Sequence, residues 1–171
     1  FLAGMAQAFV KSNPIPEGYA HEAGRVQLIN GATLPLVLAD GNGGQDYLVG
    51  VTKQWLQNKE KFDTLLDRVA RLGEHVKAFE VAGFDVGKNG VAPGALGPRF
   101  DKHAPKGQLY LVRGTTKKGK RKKAGGRAKK PLLYTGALRQ KDVLLWLKAK
   151  SAAFKRGWKK VKAALKEVKA E

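Results

Sequence analysis

The sequence predicts an α+β protein: a long amphipathic helix packed on a small antiparallel sheet with an extended basic β-hairpin arm, plus a basic C-terminal helix. Apolar side chains recur at helical spacing over residues 46–82, and two short apolar runs flank a lysine-rich segment at 114–130. Helical spacing returns over residues 141–170, where lysines cover the remaining faces. We therefore divide the chain into an irregular N-terminal arm with short strands (1–45), a helix plus hairpin core (46–140) and a basic amphipathic C-terminal helix (141–171).

Charge is distributed unevenly along the chain. Residues 1–100 contain 10 Lys and Arg against 10 Asp and Glu, whereas residues 101–171 contain 23 against 4. The formal net charge of +19 therefore comes entirely from the second part, which indicates a surface that faces a polyanion or an acidic partner. The chain has no cysteine, so disulfides and thiolate metal sites are excluded. No apolar run is long enough for a transmembrane helix, and we predict no membrane partner.

Residues 1–45 are predicted to be irregular apart from two short strands. The prolines of SNPIPEGY (12–19) favour an extended, turn-rich segment. The candidate strands are Val26–Ile29 and Leu34–Leu38, joined by a turn at Asn30-Gly31.

The strongest helical pattern begins at Asp46, a suitable N-cap, and ends before Gly83. An unbroken helix over 46–82 would be about 55 Å long at ~1.5 Å per residue. It would either span a small domain beneath a sheet or pack against copies of itself, and the pattern leaves both arrangements open. The seam consists of Leu48, Val51, Trp55, Asn58, Phe62, Leu65, Val69, Leu72, Val76 and Phe79.

A hairpin with a long basic tip is predicted after this helix. Residues 84–107 are rich in glycine and proline, which is typical of a long loop that contacts a partner. Gln108–Arg113 predicts a strand, 114–130 an exposed arm and Leu132–Tyr134 the return strand.

A second amphipathic helix is predicted over 141–170. Its apolar seam consists of Leu144, Leu147, Ser151, Phe154, Trp158, Val161, Leu165 and Val168. Three roles remain open: docking on its own domain or a neighbour, binding of nucleic-acid phosphates through the basic face, and attachment to a membrane surface or a calmodulin-like groove. The large aromatic residues expected at helix interfaces are Trp55, Phe62, Trp146, Phe154 and Trp158.

The segment after the predicted strand imitates a phosphate-binding loop. Gly114, Gly119 and Lys120 have Walker A spacing, but the next residue is Arg121, where a P-loop requires Ser or Thr to bind magnesium. The following KRKKAGGRAKKP is also a poor helix start, whereas a P-loop needs helix N-terminal amides at the phosphates. We therefore predict no nucleotide cofactor.

No metal, cofactor or catalytic site is predicted. His21, His75 and His103 are far apart and lack metal-ligand spacing. The chain contains neither a G-x-S-x-G motif nor a cysteine nucleophile. Asp63 and Asp67 are four residues apart on a predicted helix, which is typical of a solvated face. The sequence therefore predicts a protein that is not an enzyme.

The arm is the main candidate contact site. Nine of its fourteen residues between Lys117 and Lys130 are basic, and Gly125-Gly126 adds conformational freedom. Such a segment can bind phosphates without sequence preference and with strong salt dependence, and it fits an acidic protein surface equally well. The residues predicted for polyanion or partner contact are Lys117, Lys118, Lys120, Arg121, Lys122, Lys123, Arg127, Lys129 and Lys130.

Residues 100–139 contain a Pro-x-Gly-x-x-aromatic strand, a Thr followed by a basic loop, and a Pro-Leu-Leu-x-Thr-Gly-x-Leu-Arg segment. This pattern resembles the tail-completion, or virion morphogenesis, proteins of tailed bacteriophages. The family continues after Leu-Arg with further strands, whereas QKDVLLWLK predicts a helix here. The matching residues are Pro105, Gly107, Tyr110, Thr115 or Thr116, and the assembly motif Pro131, Leu132, Leu133, Thr135, Gly136, Leu138 and Arg139.

The resemblance implies a non-enzymatic structural subunit of a phage virion, at the neck or tail-completion region. Such a subunit would assemble as a ring in the host cytoplasm and would contact other copies of itself and neighbouring virion proteins. The charge distribution suggests an alternative, a ribosomal or organellar-ribosomal protein that binds rRNA phosphates through the basic arm and the C-terminal helix. Neither reading involves a small-molecule substrate.

Overall fold

A computed structural model describes residues 12, 14, 22–39, 44–114 and 130–170. Strands and helices both occur along this part of the chain. In chain order they are β1 (Gln27–Ile29), α1 (Leu34–Leu38), β2 (Asp46–Thr52), α2 (Lys59–Gly73), β3 (Phe79–Asp85), β4 (Gln108–Val112), β5 (Leu132–Leu133), α3 (Gln140–Lys150), α4 (Ala152–Arg156) and α5 (Trp158–Ala170).

The strands form one mixed sheet in the order β1-β3-β2-β4-β5. β1, β3 and β2 are parallel, whereas β4 and β5 are antiparallel to their neighbours. At the centre, Val49 of β2 lies between Ala82 of β3 and Tyr110 of β4. Six of the seven residues of β2 are buried. The sequence of a strand that is covered on both faces is a nearly continuous run of apolar residues, such as YLVGV (47–51).

Two layers cover the sheet. On one face, α2 and the three C-terminal helices bury Leu48 of β2 and Leu111 of β4 together with Phe62, Phe154 and Val161. On the other face, α1 and the connection after β3 bury a second set of apolar side chains. That set includes Ile29, Val49, Phe84 and Tyr110 from the strands, with Leu34 and Leu96 from the covering layer.

The predicted α+β class, with a helix packed on a small sheet, is confirmed. The predicted hairpin strands are present as β4 and β5, and Tyr110 pairs with Leu133. The connection from Val86 to Gly107 contains no helix or strand, as its composition predicts. The sheet is mixed, not purely antiparallel, because β1, β2 and β3 run in the same direction.

The helix predicted over 46–82 is wrong in its bounds. Residues 46–52 form β2 and residues 79–85 form β3, so only 59–73 are helical. Asp46 is consequently not an N-cap but a buried residue of the central strand. The apolar residues of 46–52 satisfy both a helical seam and a doubly buried strand, and periodicity alone does not separate the two. Residues 46–52 form a strand because they pair with β3 on one side and with β4 on the other.

Two further elements differ from the prediction. Leu34–Leu38 is the helix α1, because Pro35 occupies its first turn and the Asn30 side chain accepts hydrogen bonds from Ala32 N and Thr33 N before it. The helix predicted over 141–170 is divided into α3, α4 and α5 at Ser151 and Gly157.

Candidate polyanion-binding surface

The helices α3, α4 and α5 contain most of the net positive charge that the structure describes. Residues 140–170 contain ten Lys and Arg against the two acids Asp142 and Glu167. We call the outward side of α4 and α5 the basic face. Its cations are exposed, and none forms an ion pair with another described residue. They are Lys155, Arg156, Lys159, Lys160, Lys162, Lys166 and Lys169.

Four of these lysines form a stripe along α5. Lys159, Lys162, Lys166 and Lys169 are separated by steps of three and four residues, so they lie on one side of the helix. The stripe is about 15 Å long at ~1.5 Å per residue. The opposite side of α5 contains Val161, which is fully buried in the core.

Aromatic and aliphatic contacts hold the basic face on the domain. The buried ring of Phe154 packs edge-on against Phe79 of β3, with 5.1 Å between centroids, and lies 6.0 Å from the ring of Trp158. Lys148 Nζ of α3 lies 5.1 Å from the centroid of Trp158, within the range of a cation–π contact. These contacts fix α4 and α5 relative to the sheet.

A buried hydrogen-bond network fixes the junction between α3 and α4. Ser151 is extended, its Oγ accepts a hydrogen bond from Phe154 N at 3.1 Å, and α4 therefore has a capped start. The same Oγ donates to Asp46 Oδ2 at 2.6 Å. Asp46 Oδ1 accepts from Gly114 N at 2.8 Å. One carboxylate on β2 thus joins the basic helices to the residue at the root of the arm.

Gly114 is close to the backbone on which it rests. A Cβ at this position would lie 2.5 Å from the backbone of Gly44 and Gln45. Of the predicted contact residues, Lys117, Lys118, Lys120, Arg121, Lys122, Lys123, Arg127 and Lys129 lie outside the described residues. Lys130 is described and exposed.

The predicted assembly motif forms the passage from β5 to α3. Thr135 and Gly136 are exposed, whereas Pro131 and Leu138 are half-buried. The ring of Tyr134 lies 5.1 Å from that of Trp146, and its hydroxyl donates to Ala137 O at 2.6 Å. Arg139 is exposed and its Nε pairs with Asp142 Oδ2 at 2.9 Å, across the start of α3. The motif therefore has a local structural role and leaves Thr135 and Gly136 accessible.

The aromatic residues predicted at helix interfaces have two outcomes. Phe62 and Phe154 are buried in the core, and Trp146 and Trp158 pack partly against it. Trp55 is not on a helix: it lies in the loop between β2 and α2 and is 71% exposed. The prediction for Trp55 failed because it depended on the helix 46–82.

Three loops meet near Trp55, at one end of the sheet. We call this end the loop platform; it consists of residues 53–58, which were predicted to be helical, and of residues 86–89 and 101–107, which belong to the loop predicted to contact a partner. Gln57 N donates to Pro105 O at 3.3 Å. Lys53 is buried, and its Nζ donates to Lys102 O at 3.1 Å. The platform lies at the carboxyl ends of β2 and β3, the position at which open parallel sheets usually bind ligands.

Burial raises the pKa of three tyrosines. The hydroxyl of Tyr110 is buried and has no hydrogen-bond partner among the described residues. Burial, with a further contribution from the negative charge of Asp101, raises its pKa to about 12. Burial raises the pKa of Tyr47, and Glu80 adds to the effect. Burial also raises the pKa of Tyr134, where Asp142 adds to the shift and Arg139 opposes it. All three therefore remain neutral at physiological pH.

Within the described part of the chain, no cluster of three or more His, Asp or Glu side chains is arranged to hold a metal ion. No helix among the described residues is long and apolar enough to cross a membrane. Comparison with protein-family models and with curated protein sequences gives no match.

Proposed function

We propose that this chain is a non-enzymatic binding subunit of a larger assembly, and that its basic face binds the phosphate backbone of a nucleic acid. One observation carries the proposal: the apolar side of the C-terminal helices packs inside the domain as far as Leu165, with Val168 exposed near the end of α5, whereas the lysines of the opposite side are exposed and unpaired among the described residues. A surface of this kind interacts through charge, because it has little apolar area to offer.

The internal packing weighs against the other roles considered for these helices. A membrane-surface helix or a helix bound in a hydrophobic groove must present its apolar side to the partner. Here Val161 and Phe154 are fully buried, and Leu165 packs partly against the same core. The basic face would have to detach from the domain before either mode could operate.

A nucleic acid fits the basic face better than an acidic protein does. The central parts of protein–protein interfaces are apolar, rich in aromatic residues and depleted in lysine. Protein–nucleic acid interfaces are polar and strongly positive. On α4 and α5, the large exposed apolar residue among the described positions is Val168, which lies on the Val161 side of α5 and not among the lysines of the stripe.

The β2-α2-β3 unit, a pair of parallel strands joined by a helix, has no redox motif. In redox proteins that contain such a unit, a C-x-x-C motif lies beside it. In this chain the residues at the start of α2 are Leu56-Gln57-Asn58-Lys59, and no cysteine occurs anywhere in the sequence. Thiol–disulfide exchange needs a thiolate, so that chemistry is excluded for this chain. A fold alone does not assign a function, and the site argument above carries the proposal.

The proposal is tested by measuring the affinity of the purified chain for a fluorescent 20-nucleotide single strand at several salt concentrations. We expect the logarithm of the binding constant to fall linearly with the logarithm of salt concentration. Replacing Lys159, Lys162, Lys166 and Lys169 by Ala should reduce the slope by up to about 0.7 per lost phosphate contact. The matched control is a variant in which four other exposed cations are replaced by Ala: Lys61, Arg68, Arg71 and Lys77. Equal losses in both variants, or binding that does not respond to salt, would contradict the proposal.

A second, more specific candidate is a subunit of a phage virion at the neck or tail-completion region. The observation that favours it is the position of the assembly motif, where Thr135 and Gly136 are exposed beside the two-residue edge strand β5. A neighbouring subunit could contact this edge without any change in the core. Ring formation in solution, measured by sedimentation and lost in a Thr135→Arg variant, would support it; Gly136 is left unchanged because a Cβ there would lie 2.6 Å from the Tyr134 hydroxyl. A monomer at all concentrations and in the presence of DNA would argue for the alternative, an RNA-binding ribosomal protein.

A further inference from the structure

We propose that the loop platform at Trp55 is a second contact site for the nucleic acid, where the indole ring stacks on a base of a single strand. The inference rests on the proposed nucleic-acid partner but concerns a different surface. The basic face would bind phosphates and the platform would bind a base, so the chain would prefer single strands over duplexes.

The position of Trp55 makes stacking possible. Its side chain is 71% exposed, the highest value among the large apolar residues that the structure describes. One edge of the indole lies near Gly87, where a Cβ would be 3.3 Å from Trp55 Cη2. The ring thus rests beside a glycine of the β3 turn and keeps most of its surface accessible. Each stacked base is worth a measurable gain in affinity, and any base can stack because all have a π face.

Charges around the platform favour an anionic ligand. Lys88, Lys102 and Lys106 are exposed on the loops that surround Trp55. The two carboxylates of the same loops are engaged locally: Asp85 Oδ1 accepts from Gly87 N at 2.8 Å, and Asp101 Oδ1 accepts from His103 N at 2.8 Å. An aromatic ring with cations on the neighbouring loops is the arrangement used by proteins that bind single-stranded nucleic acid.

An extended peptide fits this surface less well. Peptides that bind as an added strand need the open edge of a sheet, which supplies a row of backbone donors and acceptors. The platform lies at the ends of β2 and β3, both of which have strand neighbours on each side. It therefore offers loop tips and one aromatic ring, not a strand edge.

The platform and the basic face lie at opposite ends of α2. Trp55 precedes the start of α2, whereas the junction of α4 and α5 packs near its other end, where a Cβ on Gly157 would meet Val76 at 2.9 Å. The 15 residues of α2 separate the two by about 22 Å at ~1.5 Å per residue. A substitution at one site can therefore change nucleic-acid binding there without altering the structure of the other site.

The test compares two probes on the full chain and on Trp55→Ala, a substitution at an exposed position. The probes are a 12-nucleotide oligothymidylate, which has bases and phosphates, and inorganic polyphosphate of similar length, which has phosphates only. We expect Trp55→Ala to weaken oligothymidylate binding roughly tenfold and to leave polyphosphate binding unchanged. Trp55→Phe should retain most of the affinity, and Leu36→Ala, at another exposed apolar residue, should change neither. The wild-type tryptophan fluorescence should be quenched by oligothymidylate, and this quenching should disappear in Trp55→Ala.

Four outcomes would overturn the inference. Equal binding of oligothymidylate by wild type and Trp55→Ala shows that no base stacks there, and the proposed function survives if polyphosphate still binds. Equal losses for both probes show that Trp55 has a structural role only. Quenching of Trp55 by a proline-rich peptide but not by oligothymidylate assigns the platform to a protein partner. If wild type binds neither probe, the proposed function fails as well.

Discussion

Ser151 Oγ donates a 2.6 Å hydrogen bond to Asp46 Oδ2 across 105 positions of sequence, and both residues are buried. The carboxylate also accepts from Gly114 N, so it holds together the central strand, the start of α4 and the root of the arm. A buried carboxylate is costly unless it is hydrogen-bonded, which makes each of these bonds important for stability.

Removal of either partner should destabilise the domain. We expect Ser151→Ala to lower the free energy of unfolding by about 1–3 kcal/mol, because it leaves a buried carboxylate oxygen without its donor and removes the cap of α4. Urea denaturation followed by circular dichroism measures the change. Asp46→Asn should cost a similar amount, and the double variant should cost less than the two single losses added together. Asp67→Asn, at an exposed position of α2, is the control. Additive losses would show that the two side chains act separately.

Tyr110 should make the domain less stable in alkali. Its pKa is about 12 in the folded chain against an ordinary value of 10. Between about pH 10 and pH 12 the unfolded chain loses this proton while the folded chain keeps it, so the unfolded state binds fewer protons and stability falls as pH rises. Tyr110→Phe cannot ionise there, and its stability should fall less over the same window. Tyr47 and Tyr134 also have raised pKa values and should leave a residual decrease.

The measurement is urea unfolding of wild type and Tyr110→Phe at pH 9 and pH 11. At pH 9 the variant should be as stable as wild type or more stable by ~1 kcal/mol, because it loses a buried hydroxyl that has no partner. An identical alkaline decrease in both proteins would show that Tyr110 ionises as readily in the folded chain as in the unfolded one.

Phe154 should be the main anchor of the basic face. Its ring is fully buried and packs against Phe79 and Trp158. We expect Phe154→Ala to lower the free energy of unfolding by about 3–5 kcal/mol, through lost burial and the cavity left behind. Thermal or urea unfolding measures it, with Leu145→Ala, at a residue that is 46% exposed, as the control. If Phe154→Ala lowers the free energy of unfolding only as much as Leu145→Ala does, other contacts hold α4 and α5 on the domain.

Lys53 should be replaceable by an apolar side chain. Lys53 is buried with the backbone carbonyl of Lys102 as the acceptor of its ammonium, and no carboxylate in the described ranges pairs with it. Burial of a charge without such a partner is unfavourable. We expect Lys53→Met to be neutral or to raise the free energy of unfolding by ~1 kcal/mol, because methionine fills a similar volume without the charge. Lys88→Met, at an exposed site of the same platform, should have no effect on stability. A clear decrease in the free energy of unfolding of Lys53→Met would instead show that the ammonium and its hydrogen bond stabilise the fold.

Most of the local features could be predicted because they depend on neighbouring residues. The strand Gln108–Val112, its return strand at Leu132–Leu133 and the loop between 86 and 107 follow from apolar runs bounded by glycine and proline. The core face of α2, with Phe62, Leu65, Val69 and Leu72 buried, follows from helical spacing within 59–73. The basic arm, the lysines of α5 and the absence of cysteine are properties of the residues themselves.

The candidate site was predicted only in part. The lysines of 155–169 were recognised as a basic face, but the sequence left open whether the apolar side would meet the protein, a membrane or a groove. Burial of Phe154 and Val161 in the domain decides this. The long loop of the platform was predicted as a contact segment, but the place of Trp55 beside it was missed because Trp55 matched a helical seam. Pro105 and Gln57 are 48 positions apart in sequence and meet only through the fold.

The sequence by itself determined the charge asymmetry, the exclusion of thiol chemistry, the hairpin and the helical faces, since each depends on residue identity or short-range spacing. The tertiary structure decided whether YLVGV became helix or strand, because the choice depends on hydrogen bonds to β3 and β4, which are distant in sequence. It also decided that Asp46 is a buried acceptor for Ser151 and Gly114, not a helix cap. A helical seam and a doubly buried strand present the same run of apolar residues, and only the partners that come to lie beside that run distinguish them.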